Sequence, residues 1–150
     1  VFISTQLAME VENPTVNDVY QEGTRAVVLQ VARMPNGSLK ILAEGLCRSA
    51  IVSQDTSVQE FISVHYEDMP TPAIKETEAK ALWRRLKELY LDYAALHEKM
   101  PTDLVSAVKT IQDIDYISDT IAMHLNLTVA ERQEILVLAN LEERIIALCG

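Results

Sequence analysis

The chain has 150 residues, 49% hydrophobic and 23% charged, enough for one domain or two small lobes with a real core. Its net charge of −9, from 13 Lys and Arg against 22 Asp and Glu, works against contact with a phosphate backbone unless the few cations cluster. No apolar run approaches the roughly 20 residues that span a bilayer, and the distant Cys47 and Cys149 are expected to be reduced thiols in a cytoplasmic compartment.

Residues 1–69 read as a β lobe. The start, VFISTQLAMEVEN, has no initiator Met and neither the basic start nor the cleavage site of a secretory signal. It opens inside an apolar strand over 1–7, so the sequence is expected to be a piece whose beginning lies upstream. After an irregular acidic stretch, residues 24–34 are rich in β-branched residues and alternate at Arg25, Val27, Leu29, Val31 and Arg33, which predicts a strand. Pro35 presets φ for a turn, Asn36 tolerates its second central position, and Gly37 suits the left-handed residue that follows. The combination predicts a type I turn closed by a glycine bulge. The returning strand places Leu39, Ile41 and Ala43 on one face and Lys40, Leu42 and Glu44 on the other. Gly45 marks a bend or bulge before LCRSAIVSQ continues extended, and a further strand fits 58–68.

Pro70 and Pro72 mark the boundary to a helical lobe over 70–150. One long amphipathic helix is predicted over 73–99, with a core stripe of Leu82, Leu86, Leu89, Tyr93, Leu96 and Met100 and a neighbouring stripe of Trp83, Tyr90 and His97. Pro101 ends it and Thr102 can cap the next helix. Asp113 or Asp115 can cap a third, and Thr128 with Glu131 stands at capping-box spacing for a fourth. Asn140 with Glu143 repeats the device, so about five helices with short turns are expected.

Chemistry is hard to find. The four glycines form neither a GxxxxGK[ST] nor a GxGxxG pattern, so neither common nucleotide-binding loop is present. His65, His97 and His124 are scattered without an HExxH pair, and no metal site is expected. A carboxylate–imidazole contact between Asp119 and His124 is the structural reading of that histidine. Ser49 and Ser53 have no local histidine and no GxSxG elbow, and the Asp113/Asp115 and Glu142/Glu143 pairs fall at helix starts, where the dipole favours carboxylates. The rival reading is a thiol or metal-dependent enzyme using Cys47 with His65 or His124, which requires those side chains to converge. Nucleic-acid binding would need Arg33, Lys40 and Arg48 on one face.

The segment NDVYQEGTRAVVLQVARMPNGSLKILAEGLCRSAI, at 17–51, resembles the amino-terminal domain of the ATP-dependent protease Lon. Asn17, Asp18, Tyr20, Gly23, Thr24, Pro35, Gly37, Lys40, Glu44, Gly45, Leu46 and Arg48 carry the likeness. The helical part agrees at Asp119-Thr120-Ile121-Ala122, His124, Glu131-Arg132-Gln133 and Glu143-Arg144. Two departures stand out: the family's Asp-Asp-Pro is Asp113-Ile114 here, and the family's first strands with their Leu-Pro-Leu-Arg stretch are missing.

The resemblance implies a domain without catalysis that selects unfolded or damaged proteins and helps subunits of a homo-oligomer, a hexamer in the family, to assemble. It implies that ATP and Mg are used by an ATPase module outside this chain, beside a serine protease module; the charge balance argues against nucleic acid as a partner of this domain, and no membrane partner is expected. The alternative within the same class is a stand-alone adaptor carrying only this domain. A recruiter of unfolded chains needs exposed apolar side chains or a free strand edge, which makes Met34, Pro35 and Leu39, with Tyr66 and Met69, the candidate contacts; the plainer reading of any one of them is that it closes the lobe's own core or faces the missing first strands. The expected architecture is α+β: a small bent, barrel-like sheet followed by a helical bundle entered by one long helix.

Overall fold

A computed structural model describes residues 1–58, 60–96, 105, 106, 108, 110 and 113–149. The class is α+β, and the chain separates into two compact units, Val1–Pro70 and Thr71–Gly150. The first unit holds an antiparallel sheet in the order β1-β2-β3-β4, from β1 (Phe2–Ile3), β2 (Glu22–Arg33), β3 (Leu39–Gln54) and β4 (Val64–Asp68). A single 3-10 turn, Val16–Asp18, interrupts the long connection from β1 to β2. It is held by a capping box in which the Asp18 carboxylate accepts from the Thr15 amide and hydroxyl.

Three register shifts bend this sheet. Arg25 pairs with Cys47 but Ala26 with Gly45, leaving Leu46 as the extra residue; Val28 pairs with Ala43 and Gln30 with Leu42, leaving Leu29; and Ile51 and Ser53 leave Val52. The bend expected at Gly45 is thus built with Leu46 as the bulged residue. The Leu29 bulge also corrects the sequence reading. An unpaired residue reverses parity, so Val31 and Arg33 face with Ile41 and Leu39, while Arg25 and Val27 fall on the opposite face with Cys47 and Glu44. The last strand is shorter than expected from 58–68. Asp55 Oδ1 accepts from the amide and hydroxyl of Ser57, at 3.0 and 2.6 Å, and this side-chain turn takes up chain before Val64.

In the second unit lie α1 (Glu76–Leu96), α2 (Ile114–His124), α3 (Val129–Val137) and α4 (Leu141–Cys149), the last three joined by short links, and Val105, Ser106, Val108 and Thr110 are also helical. The helix expected from residue 73 begins at Glu76, with Glu76 and Glu78 placed favourably in its first turn. The apolar seam of α1 runs at Leu82, Leu86, Tyr90 and Ala94, one residue per turn. It takes members from both predicted stripes, and Leu96 is 82% exposed rather than core. Leu86 and Tyr90 are buried with Val108, Ile117, Ile121, Leu141 and Ile145. Asp113 caps α2 by accepting from the Tyr116 amide, Thr128 and Glu131 form the expected capping box on α3, and Asn140 Oδ1 accepts from the Glu142 and Glu143 amides at the head of α4. His97, Met100, Pro101, Thr102 and Gly150 lie outside the described residues.

Candidate functional site

The turn between β2 and β3 forms as its residues dictate. The Gly37 amide donates to Met34 O at 2.9 Å, the Met34 amide donates to Ser38 O at 2.8 Å, and Gly37 takes φ 85°. Asn36 Oδ1 adds a brace, accepting from the Ser38 amide and hydroxyl at 3.1 and 2.7 Å. The hairpin then extends well past its neighbours. Along β2 the pairing reaches Ala26, which exchanges two backbone hydrogen bonds with Val1, both 2.8 Å, and pairing with β4 begins at Ser49. From Val27 to Glu44 it is a two-stranded ribbon whose outer β3 edge, among the described residues, is unpaired.

One face of that ribbon is apolar. Val28, Val31, Leu39 and Ile41 share it, and Val31, Leu39 and Ile41 are 56–57% exposed. A two-stranded hairpin gains little stability in water by itself, and burying such side chains is worth about 25 cal/mol per Å². The surface is therefore poised to be covered. Met34 and Pro35 sit at the exposed tip beside it.

The base of the sheet is organised differently. The Phe2 ring from β1 stacks on Tyr66 from β4, with centroids 5.8 Å apart, so the two edge strands meet over one face. On the same face Arg25 makes a two-pronged bond to Asp68, Nε to Oδ1 at 3.1 Å and Nη2 to Oδ2 at 3.0 Å, reaching across β3. Ser49, fully buried, donates to Asp68 Oδ1 at 2.8 Å, and Cys47 Sγ lies 3.6 Å from Ser49 Oγ. Arg25 first, then Cys47 and Ser49, hold the Asp68 carboxyl at about 2.

These placements divide the sequence candidates. Met34, Pro35 and Leu39 come together at the hairpin tip. Tyr66 stands opposite Ile51, so the stretch of β3 from Leu39 to Ile51, roughly 40 Å of strand, separates it from them. Its ring is engaged by Phe2, and Met69 is tied by its amide to Arg48 O. The residues that composition alone did not single out are Val28, Val31 and Ile41, because only the register after the Leu29 bulge puts them on one face.

The Cys47–His65 pairing loses its geometry. Cys47 lies opposite Arg25, and His65 lies opposite Ser53, six residues further along β3 and roughly 20 Å away. His124 Nδ1 meets Thr120 O at 2.8 Å rather than the Asp119 carboxylate, which is bound instead to Arg144. Among the described residues no three His, Cys, Asp or Glu side chains are grouped to hold a metal ion, and no helix is long and apolar enough to cross a membrane. The basic patch is also broken up: Lys40 faces away from Arg33.

In the helical unit the residues that carried the family likeness hold the fold. Arg144 is fully buried, its Nη1 donating to Asp115 Oδ1 at 2.6 Å and Asp119 Oδ1 at 3.0 Å. Arg132 donates to the carbonyls of Leu125 and Leu127, fastening the link between α2 and α3. In the β unit, a Cβ on Gly23 would lie 2.3 Å from Ile3 O and 2.8 Å from the Phe2 ring, so glycine there lets Phe2 lie across β2.

Residues 1–149 match the family model described as the ATP-dependent protease La (LON) substrate-binding domain. The chain belongs to that family. It is 33% identical over 149 residues to the Lon protease of Syntrophomonas wolfei, covering 99% of this chain and 18% of that protein. It is 31% identical over 145 residues to the Lon protease of Escherichia coli K12, covering 97% and 18%. The N-terminal domain of Mycobacterium avium complex Lon protease superposes with a TM-score of 0.75 at 24% identity, over 87% of this chain and 68% of that one, and shares the fold. The chain thus spans about 18% of the length of the curated Lon relatives it matches. Within the Lon family this is a substrate-binding domain of α+β architecture.

Proposed function

We propose that this Lon domain captures unfolded or damaged proteins for a cytoplasmic, ATP-dependent serine protease. The capture surface is the ribbon face of Val28, Val31, Leu39 and Ile41, with Met34 and Pro35 at its tip. The observation that carries this reading is the exposed apolar face on a hairpin whose outer β3 edge is unpaired among the described residues. An unfolded segment supplies what that surface lacks: apolar side chains to cover the face and backbone groups to pair with an edge. A folded protein offers neither. Met34 suits varied clients because its side chain is flexible and polarizable. Exposed apolar contacts give modest affinity, which several copies in a homo-oligomer, a hexamer in our reading, would multiply. ATP and Mg act in a separate ATPase module, and the domain also contributes to subunit assembly.

The test is binding of the chain to a permanently unfolded protein and to the same protein folded, alongside Ile41→Asp and Met34→Asp. The reading requires preference for the unfolded form and roughly ten-fold weaker binding for Ile41→Asp, whose new charge must be desolvated at the centre of the face. Equal binding of both forms, or an Ile41→Asp domain that binds as well as the parent, overturns it.

A further inference from the structure

The capture face is not electrically neutral along its length. From Thr24 to Arg48 the sequence holds Arg25, Arg33, Lys40 and Arg48 against Glu44 alone, in a chain whose net charge is −9. The register sorts these charges. Arg25 is engaged with Asp68 at the base, Lys40 and Glu44 lie on the opposite face from Leu39 and Ile41, and Arg48, opposite Thr24, shares the face of Leu39 and Ile41 but stands half-buried at the base of the sheet. Over the free part of the ribbon, Arg33 is the one charge that shares the face of Val28, Val31, Leu39 and Ile41, and it stands at the outer end, directly opposite Leu39. It is exposed and, among the described residues, makes no ion pair.

We infer that this face selects apolar client segments that carry an Asp or Glu side chain at one end, received by Arg33. This rests on the capture reading above. A client aligned on Val31, Leu39 and Ile41 brings its terminal residue within reach of the guanidinium, whose planar donors suit a carboxylate. The protein's overall negative charge does not cancel the preference. At physiological ionic strength fields are screened over about 8 Å, whereas Glu44 sits five residues from Leu39 along β3, roughly 17 Å away, and on the other face. As the one cation on the free part of this face, Arg33 gives the ribbon an apolar strip with an acid-accepting outer end.

Three peptides with the same apolar core, blocked at both termini and ending in two Glu, two Gln or two Lys residues, test this by fluorescence anisotropy. An exposed pair is worth up to about five-fold in affinity, so the chain should bind the Glu peptide roughly five-fold tighter than the Lys peptide, with Gln between. The gap should shrink at high salt. Arg33→Gln should level the three and Arg33→Glu reverse their order, while Lys40→Gln, on the far face, leaves the order unchanged. Equal binding of all three by the parent chain overturns the charge selection and leaves capture standing. Binding of none overturns both. A preference that survives in Arg33→Gln but disappears in Lys40→Gln assigns the wrong face and overturns the inference.

Discussion

Phe2 and Tyr66, on the first and last strands of the sheet, stack with ring centroids 5.8 Å apart. Two further strands lie between them, so the contact depends on the sheet being bent and on one ring lying low over β2. Gly23 supplies the low path: any side chain there meets Ile3 O and the Phe2 ring. Gly23→Ala should therefore displace β1, separate the rings and cost about 1–3 kcal/mol, as overpacking does elsewhere. Urea unfolding of the β unit and the ring-proton shifts of Tyr66 measure this. Native shifts with an unchanged midpoint would contradict the packing described.

The Arg25–Asp68 clamp closes the same face and should make the β unit sensitive to acid. Asp68 is held at about 2, below its ordinary 3.8, first by Arg25 and then by Cys47 and Ser49. A carboxylate whose folded value is depressed stabilises the fold fully above its unfolded value and loses that contribution as pH falls through the folded one. Stability should thus decline between about pH 4 and about pH 2. Asp18, Asp55 and Glu131, lowered by their bonds to Thr15, Ser57 and Thr128, add to the slope in the same direction. Asp68→Asn should lower stability at neutral pH and flatten the acid decline, read from urea midpoints across that range. A parallel decline in variant and parent would remove Asp68 as its source.

What was legible in the sequence was local. Met34 to Ser38 encode their turn because proline, asparagine and glycine act on their own dihedrals, and Asp113, Thr128 and Asn140 cap helices through atoms two or three residues away. Non-local features were hidden. A bulge at Leu29 leaves no compositional mark, yet it decides that Val31 rather than Val27 joins Ile41, and with it which residues form the candidate surface. Met34, Pro35 and Leu39 could be named from the turn alone. Tyr66 looked equally free in sequence because its partner Phe2 is 64 residues away.

Tyr90 combines burial with an unmet polar group. It is 2% exposed in the middle of the α1 seam, its hydroxyl has no partner among the described residues, and burial pushes its pKa up. Its ring borders a cavity of about 180 Å³ shared with Leu86, Ile121 and Leu148. Removing a buried donor that bonds to nothing relieves its desolvation cost, so Tyr90→Phe should stabilise the helical unit by about 1 kcal/mol. Trp83 packs against this core and is the chain's one tryptophan, which makes its fluorescence a suitable probe of unfolding. A loss of stability would mean that the hydroxyl is satisfied in solution, by a water in that cavity for example.

Arg144 presents the opposite case, a buried charge with partners. Its side chain is fully buried, while those of Asp115 and Asp119 are 46% and 47% exposed. That asymmetry predicts which side of the cluster can be removed at lower cost. Without Arg144 the two carboxylates can turn to water, and a leucine can fill the space left behind. Without the carboxylates the guanidinium, whose Nε and Nη2 already lack partners among the described residues, is left in the core with little to balance it. Asp115→Ala with Asp119→Ala should therefore cost roughly 3 kcal/mol or more, and Arg144→Leu about 1 kcal/mol less than that. Trp83-detected unfolding of the two variants orders them. The reverse order would mean that the arginine contributes packing and hydrogen bonds beyond the charge balance, and that the residues carrying the family likeness here stabilise the bundle through its shape more than through its ions.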